Sequence, residues 1–410
     1  MMFIKTVINK KKLKEIFLLI VILGLSFLPR LWQINHYPPL IVDESANLRD
    51  INKLISPKVF LPTDYEWGFG QATLVFYPTI ALIKLGISDQ LFALRLTSII
   101  LSIMALIPFF YIIRNNSNTL IAFCTTLMFS FSYYYLQFSR IGWTNIHPIM
   151  LGLFLMWFTK LAINKNSLIF YFLSGITAGL LIYTYRSGEI FIFAAFILLI
   201  LNIISSKKKL SIKIVRFLLF LAIFTLVSLP WMNKIFSDWN LYNLRANVVS
   251  INNAERPYHN LYNQREIIQY QILTTFKSWI LLDTINGNGG NIENSRYLPL
   301  RYPLISPILI PFFWTGIIIS LKKWKKSFIW FFIFLSGLVF GQVLTVDPPN
   351  GSRGLILLPI IYIFIGYSFN WLSNLMRNFQ WTNLSYISIS LIVAITDYFY
   401  YQYWMTWIKV

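Results

Sequence analysis

Long apolar stretches, separated by short polar segments, run through most of the 410-residue chain. A helix needs about 20 mostly apolar residues to cross the hydrocarbon core of a membrane, which is roughly 30 Å thick. The stretches do not alternate between apolar and polar residues, as the strands of a membrane barrel do. The pattern therefore predicts an all-α, polytopic membrane protein with about 11 transmembrane helices. The predicted spans are 16–34, 91–113, 119–137, 148–163, 167–185, 188–204, 214–232, 303–321, 327–345, 354–372 and 384–403.

Segment 72–86 is apolar but short, and its placement decides on which side every later loop lies. As a helix it would rise only about 22 Å, and it contains Pro78 and Lys84. If it does not cross, 18 of the 35 Lys and Arg share the side of the N-terminus, with Glu15 as the one acid there. That side then carries +17 of the net +20, which the positive-inside rule assigns to the cytoplasm. We therefore predict that 72–86 is an interfacial or re-entrant helix.

Two long loops face the outer side in this topology. The first, 35–90, follows the first span, and the second, 233–302, contains an Asn- and Gly-rich stretch at 286–291 that is typical of turns. We accordingly divide the chain into an N-terminal transmembrane module at 1–232, the large outer loop, and C-terminal transmembrane helices at 303–410. The predicted location is the cytoplasmic (inner) membrane, with a cytoplasmic N-terminus.

This topology can be tested with reporter fusions at two loops. A reporter fused after Lys209 is expected to be active only on the cytoplasmic side, because that loop is strongly basic. A reporter at Asn288 is expected to be active only on the outer side. A fusion after Lys14 is the control, since its side does not depend on 72–86. Reversal of the first two, with Lys14 unchanged, would show that 72–86 crosses the membrane.

Charge, cysteine and histidine content narrow the classes of function. Charged residues are 12% of the chain, against about a quarter of a soluble domain. The basic clusters lie beside spans without a nucleic-acid-binding motif, so we predict no nucleic-acid partner. The single cysteine, Cys124, lies inside an apolar stretch, and His36, His147 and His259 lack metal-ligand spacing. The sequence therefore predicts neither a disulfide framework nor a thiolate or imidazole metal site.

Asp43 and Glu44 stand out among the 15 acids, as adjacent carboxylates directly after the first span. A carboxylate can take the proton of an attacking hydroxyl, an effect of about 10²–10⁴ in rate. A guanidinium binds phosphate oxygens through a planar fork of donors. Arginines at the predicted outer face are Arg140, Arg186, Arg296, Arg301 and Arg353. The combination suits a reaction in which a lipid phosphate leaves and a hydroxyl attacks the carbon that it leaves.

Each of these residues also has a structural interpretation. Asp43 and Glu44 can stabilise the start of a short amphipathic helix, "DESANLRDINKLI", which is compatible with a catalytic role. The arginines can be interfacial side chains whose charged heads reach the membrane surface. Trp143 and Tyr185 are interpreted as aromatic anchors at the membrane interface rather than as platforms for a sugar.

The chain resembles the GT-C glycosyltransferases. Among them it is similar to the glycosyltransferase family 39-like bacterial enzymes related to protein O-mannosyltransferases, aminoarabinose transferases and Rgt-type lipopolysaccharide sugar transferases. The segments that carry the resemblance are "LPRLWQINHYPPLIVDESAN", "LFALRLTSIILSIMALIPFFYI", "FSFSYYYLQFSRIGWTNIHPIM", "LPLRYPLISPILIPFFWTGI" and "DPPNGSRGLILLPIIYIFIGY". The Asp-Glu pair after the first span is the most specific of these features. The resemblance implies a GT-C-like helix bundle with two large outer loops.

The resemblance also implies an activity and a role for each candidate residue. A sugar would pass, with inversion, from a polyprenyl-phosphate donor to a hydroxyl or similar group of a lipid, glycan or protein acceptor at the outer face. Asp43 would act as base or acceptor-positioning group, and Glu44 would support the acceptor or the geometry of the site. Arg353 would contact the donor phosphate. The further donor-binding candidates are Arg301, Arg140 and Arg186.

No cofactor is assigned from the sequence. Some relatives carry an Asp in the short outer loop at 138–148, where this chain has Asn145. A divalent metal or a second acid therefore stays open. Two other classes of membrane protein also stay open. A lipid-linked sugar flippase or transporter usually places charges along a path within the membrane. A surface-polysaccharide polymerase or ligase would place its catalytic groups in a late outer loop, without the early acidic pair.

Overall fold

The computed structural model describes residues 10–55, 73–205, 210–253, 263–284, 296–299, 302–376 and 382–406. Its helices are α1 (Lys10–Leu31), α2 (Val42–Ile55), α3 (Tyr77–Lys84), α4 (Gln90–Arg114), α5 (Thr119–Phe131), α6 (Tyr133–Arg140), α7 (Ile146–Lys165), α8 (Leu168–Leu181), α9 (Glu189–Ser205), α10 (Leu210–Ser237), α11 (Trp239–Val248), α12 (Gln264–Thr275), α13 (Ile310–Lys322), α14 (Trp324–Leu338), α15 (Gly351–Gly354), α16 (Leu357–Leu375) and α17 (Thr382–Met405). Within these ranges, the one pairing of extended backbone is an isolated antiparallel bridge between Ser250 and Thr345.

Each predicted span overlaps one helix or two consecutive helices, so the all-α membrane architecture is confirmed. Among the described residues, six helices are long and apolar enough to cross a membrane, and α5 with α6 forms a seventh as a pair bent by 59°. The six are Gln90–Arg114, Ile146–Lys165, Arg186–Ser205, Leu210–Ser237, Trp324–Val343 and Asn383–Met405. Leu168–Leu181 and Pro307–Lys322 are apolar but shorter. The count of about 11 spans stays a prediction.

Segment 72–86 contains the short helix α3. Its eight residues rise about 12 Å, far less than the thickness of a bilayer. Pro78 lies in its first turn, where the fixed φ of proline suits a helix start. A hydrogen bond of 2.9 Å joins the hydroxyls of Thr79 and Thr97 and fixes α3 against α4. This geometry agrees with the interpretation of 72–86 as a segment that does not cross.

Small residues allow close packing between helices, as is usual in membranes. A Cβ placed on Gly316 of α13 would lie 1.9 Å from the carbonyl oxygen of Phe364 in α16. Gly175 and Gly179 of α8 similarly approach the side chains of Ile223 and Val227 in α10. The C-terminal helices also pack against the N-terminal ones, α16 and α17 against α5 and α14 against α9. The division at 232 and 303 stays a prediction.

Glu15 of α1, the acid predicted to lie on the cytoplasmic side, is paired with a base. Its Oε1 lies 2.6 Å from Nη2 of Arg114 at the end of α4. Thr119 Oγ1 donates to the same oxygen at 3.2 Å. The pair joins the start of α1 to the turn between α4 and α5, and the partly buried acid therefore stabilises the packing of this end of the bundle.

Candidate active site

Glu44 lies in the first turn of α2 and is completely buried. Arg95 of α4 donates to both of its carboxylate oxygens, through Nε to Oε1 and through Nη2 to Oε2, each at 2.7 Å. The backbone N–H of Gly142 donates to Oε1 at 2.7 Å, and that of Ile41 donates to Oε2 at 3.2 Å. Glu44 therefore holds together the loop before α2, helix α4 and the turn between α6 and α7.

Arg95 extends this arrangement further back along the first outer loop. Its Nη1 donates to the carbonyl of Ile34 at 2.6 Å, and its Nη2 reaches the carbonyl of Pro39 at 3.4 Å. The ion pair thus fixes the loop that leads to Asp43. Sequence reasoning assigned no role to Arg95, although a charged residue inside the apolar stretch "LFALRLTS" is a signal that it has a buried partner.

Arg140, at the end of α6, also binds the backbone that follows α1. It is completely buried, and its Nη2 donates to the carbonyls of Trp32 and Tyr37 at 2.5 and 2.8 Å. Its guanidinium lies 5.5 Å from the ring centre of Tyr401 in α17. The structure therefore places Arg140 behind the first outer loop, against its backbone. It does not place Arg140 in the wall of the cavity described next.

A cavity of about 760 Å³ lies between the start of α9, the end of α14, α11 and the loop before α15. One part of its wall is polar and contains Asp43, Arg186, Glu189 and Arg353. The other part is apolar and is formed by side chains of α9, of α14 and of the π-helical turn Val339–Val343. The cavity therefore joins an ionic site to an apolar surface between two helices that can span a membrane.

Asp43 faces this cavity from the first turn of α2, beside the buried Glu44. Its side chain is 15% exposed, and its Oδ2 lies 4.0 Å from Nη1 of Arg296. Because Arg95 holds Glu44, the backbone at the neighbouring Asp43 is held in place as well. The structure thus separates the two predicted carboxylates, with Asp43 in the cavity wall and Glu44 behind it.

Arg353 enters the cavity from the short helix α15. The backbone N–H of Arg353 donates to Asn350 Oδ1 at 2.9 Å, which caps this helix, and its Nη2 donates to the carbonyl of Val346 at 2.8 Å. Asp347 lies nearby: burial raises the pKa of its carboxyl, and the charge of Arg353 acts in the opposite direction. These contacts hold the guanidinium at the cavity wall.

Trp143 and Asn145 connect the short loop between α6 and α7 to α15. Trp143 Nε1 donates to Ser352 Oγ at 2.7 Å, and Asn145 Nδ2 donates to the same oxygen at 2.8 Å. An ionised aspartate at position 145 has no N–H group and could not donate the hydrogen bond that Asn145 makes, so Asn145 acts here as a structural amide. Trp143 is 7% exposed and lines the cavity. The interpretation of Trp143 as an anchor at the membrane interface is therefore wrong.

Arg186 and Glu189 also line the cavity, and α11 holds both. The guanidinium of Arg186 lies 4.0 Å from the ring centre of Tyr242, and its Nη2 donates to Asn243 Oδ1 at 2.9 Å. The hydroxyl of Tyr242 donates to Glu189 Oε1 at 3.3 Å. Sequence reasoning named Arg186 but gave Glu189 no role, although it stands in the same outer loop.

Known proteins share this architecture. Residues 72–231, which are 160 of the 410, match the family model for dolichyl-phosphate-mannose-protein mannosyltransferase. ArnT from Cupriavidus metallidurans, bound to undecaprenyl phosphate, superposes with a TM-score of 0.57 at 10% identity, over 94% of this chain and 69% of ArnT. The oligosaccharyltransferase of Archaeoglobus fulgidus, in complex with Zn and sulfate, gives a TM-score of 0.61 at 13% identity, over 95% of this chain and 53% of that protein. The chain has the GT-C glycosyltransferase fold.

The chain spans little more than half the length of that archaeal oligosaccharyltransferase. A second structure of the archaeal protein, AglB with an inhibitory peptide and a dolichol-phosphate, has a TM-score of 0.55 at 10% identity, over 96% of this chain and 56% of AglB. No curated protein sequence matches the chain. These similarities establish the fold, and the matched family and both structural neighbours are glycosyltransferases.

Two predicted features of the chain lie outside the described residues. They are Arg301 and the Asn- and Gly-rich stretch 286–291. Within the described ranges, no group of three or more His, Cys, Asp or Glu residues is placed to hold a metal ion. Of the predicted site residues that are described, the structure brings Asp43, Arg186 and Arg353 to one cavity.

Proposed function

We propose that the protein transfers a sugar from a polyprenyl-phosphate donor to a hydroxyl or similar group of an acceptor, at the outer face of the cytoplasmic membrane. The observation that carries this proposal is the cavity, in which Asp43, Arg186 and Arg353 stand beside an apolar wall. A polyprenyl-phosphate sugar has the same two parts, a charged head and an apolar tail. Such ligands are bound by structural neighbours: undecaprenyl phosphate by ArnT and dolichol-phosphate by AglB.

The apolar wall suits the isoprenoid tail. Phe193 of α9 and Phe340 of the π-helical turn line the cavity, yet they are 61% and 63% exposed. Both belong to helices that can span a membrane, where an exposed aromatic side chain faces acyl chains. A tail can therefore leave the cavity sideways into the bilayer, while the phosphate stays beside the arginines.

The polar residues support an inverting displacement. Asp43 accepts the proton of the acceptor hydroxyl while the hydroxyl oxygen bonds to the anomeric carbon. The bond from that carbon to the phosphate oxygen breaks, and the lipid phosphate leaves with the bonding electrons. Arg353 and Arg186 stabilise the charge that develops on the phosphate. Attack from the face opposite the leaving group inverts the anomeric carbon.

Release of polyprenyl phosphate tests this proposal directly. The full chain, purified and reconstituted in vesicles, is given undecaprenyl-phosphate sugars together with a membrane extract as the source of acceptor. We expect undecaprenyl phosphate to be released and labelled sugar to appear on an acceptor. Movement of the intact sugar lipid across the bilayer, with no release, would instead favour the flippase alternative.

Arg353→Gln is expected to weaken the binding of undecaprenyl phosphate by about 10- to 100-fold, because a hydrogen bond to a charged group contributes about 1.5–3 kcal/mol. Glutamine keeps the backbone N–H that bonds Asn350. Equilibrium binding to the purified protein measures the effect. The control is Arg265→Gln, at an exposed arginine of α12 away from the cavity. Equal affinity of both variants would remove Arg353 from the phosphate site.

A further inference from the structure

Glu189 is a second carboxylate in the cavity wall, and the transfer reaction described above gives it no task. It begins α9 and lines the cavity together with Asp43. Among the described residues, its one hydrogen bond comes from the hydroxyl of Tyr242 to Oε1. An ionised carboxylate offers about four acceptor positions. Glu189 can therefore accept further hydrogen bonds from a ligand in the cavity.

Tyr242 gives the Glu189 side chain a fixed direction. Burial raises the pKa of the Tyr242 hydroxyl, which keeps it protonated and able to donate to the carboxylate. The guanidinium of Arg186 lies 4.0 Å from the centre of the Tyr242 ring. Glu189 is thus held by a neutral donor and lies beside a positive charge, as a preorganised acceptor does.

Two aromatic side chains also belong to the cavity wall. Trp143 and Tyr185 line the same cavity as Glu189. The hydrogen bond from Trp143 Nε1 to Ser352 Oγ fixes the indole plane. Ligand sites combine apolar aromatic surface with a few placed polar groups. A flat aromatic surface packs against the C–H groups of a pyranose, and a carboxylate accepts hydrogen bonds from its hydroxyls.

We propose that Trp143, Tyr185 and Glu189 form the subsite for the transferred sugar, and that Glu189 determines specificity by accepting hydrogen bonds from the hydroxyls of that sugar. Tyr242 is a positioning residue that acts through Glu189. This subsite rests on the proposed function, since it binds the sugar of the same lipid donor.

Binding to the full chain in detergent tests the subsite without any need for turnover. The probes are undecaprenyl phosphate and the undecaprenyl-phosphate forms of glucose, mannose, galactose and N-acetylglucosamine. Glu189→Gln is expected to weaken binding of the best sugar lipid about tenfold, the difference between a charged and a neutral acceptor. It should leave undecaprenyl phosphate bound as tightly as before or more tightly, because a negative charge is removed. Tyr242→Phe should weaken the sugar lipid by a smaller factor, about threefold.

Asp238→Asn is the matched control. It makes the same carboxylate-to-amide change at the exposed residue whose Oδ1 accepts from Leu241 N–H at the start of α11, and both probes should bind it as they bind the parent. If Glu189→Gln changes the binding of neither probe, or weakens both equally, the subsite is wrong while lipid-phosphate binding still stands. If the parent binds neither probe, the proposed function fails as well.

Discussion

Asp43→Asn is expected to lower kcat by about 10²–10⁴, the range that general acid–base catalysis supplies. Asparagine has the shape of aspartate, but it cannot accept the proton of the acceptor hydroxyl. Asp43 lines the cavity and makes a contact of 4.0 Å with Arg296 at a partly exposed position. An amide in place of a carboxylate at a partly exposed position costs little stability, so the effect should appear in turnover and leave folding intact.

The measurement is the release of undecaprenyl phosphate at saturating donor and acceptor, which separates kcat from KM. Asp89→Asn is the matched control in the same outer loop. Asp89 is exposed and caps α4, accepting from Phe92 N–H at 3.0 Å, and asparagine caps helices equally well. Equal kcat for the Asp43 and Asp89 variants would remove Asp43 from the chemistry, even if both proteins bind the donor lipid.

Much of the fold could be predicted from the sequence, because span length is a local property of the chain. The apolar stretch at 91–113 is the helix Gln90–Arg114, and 148–163 is the centre of Ile146–Lys165. The bend of 59° after Phe131 was not predicted. The stretch 119–137 contains no proline or glycine to mark it, and the break at Ser132 depends on how its neighbours pack.

The site was predicted only in part, because its key contacts join residues that lie far apart in the chain. Glu44 and Arg95 are separated by 51 positions, and Glu44 and Gly142 by 98. Topology places them on one side of the membrane but does not say which of them touch. The position of these residues in the sequence therefore could not show that Asp43 lines the cavity, nor that Arg140 binds the loop backbone instead.

Glu44→Gln is expected to lower the free energy of unfolding by about 3–5 kcal/mol, the usual cost of leaving one charge of a buried ion pair without its partner. Glutamine keeps one acceptor oxygen, but an NH₂ group replaces the other. That NH₂ group would face N–H groups that donate to the carboxylate in the parent. Arg95, completely buried, would lose both of its hydrogen bonds to a charged acceptor. Chemical unfolding in detergent micelles measures the difference.

Two further variants separate the ion pair from the catalytic site. Glu266→Gln, at an exposed carboxylate of α12, is the control and should unfold like the parent. Replacement of both Glu44 and Arg95 by methionine removes the unpaired charge, so part of the stability should return. Full recovery is not expected, since the pair also binds the backbone at Ile41, Gly142 and Ile34.

The two neighbouring carboxylates should therefore respond in opposite ways. Asp43→Asn should lose turnover at nearly unchanged stability, because Asp43 lines the cavity and is the proposed base. Glu44→Gln should lose stability first, because its four hydrogen bonds join segments that frame the cavity. A Glu44→Gln protein with parental stability and no turnover would contradict this division, and would place both carboxylates of the pair in the reaction.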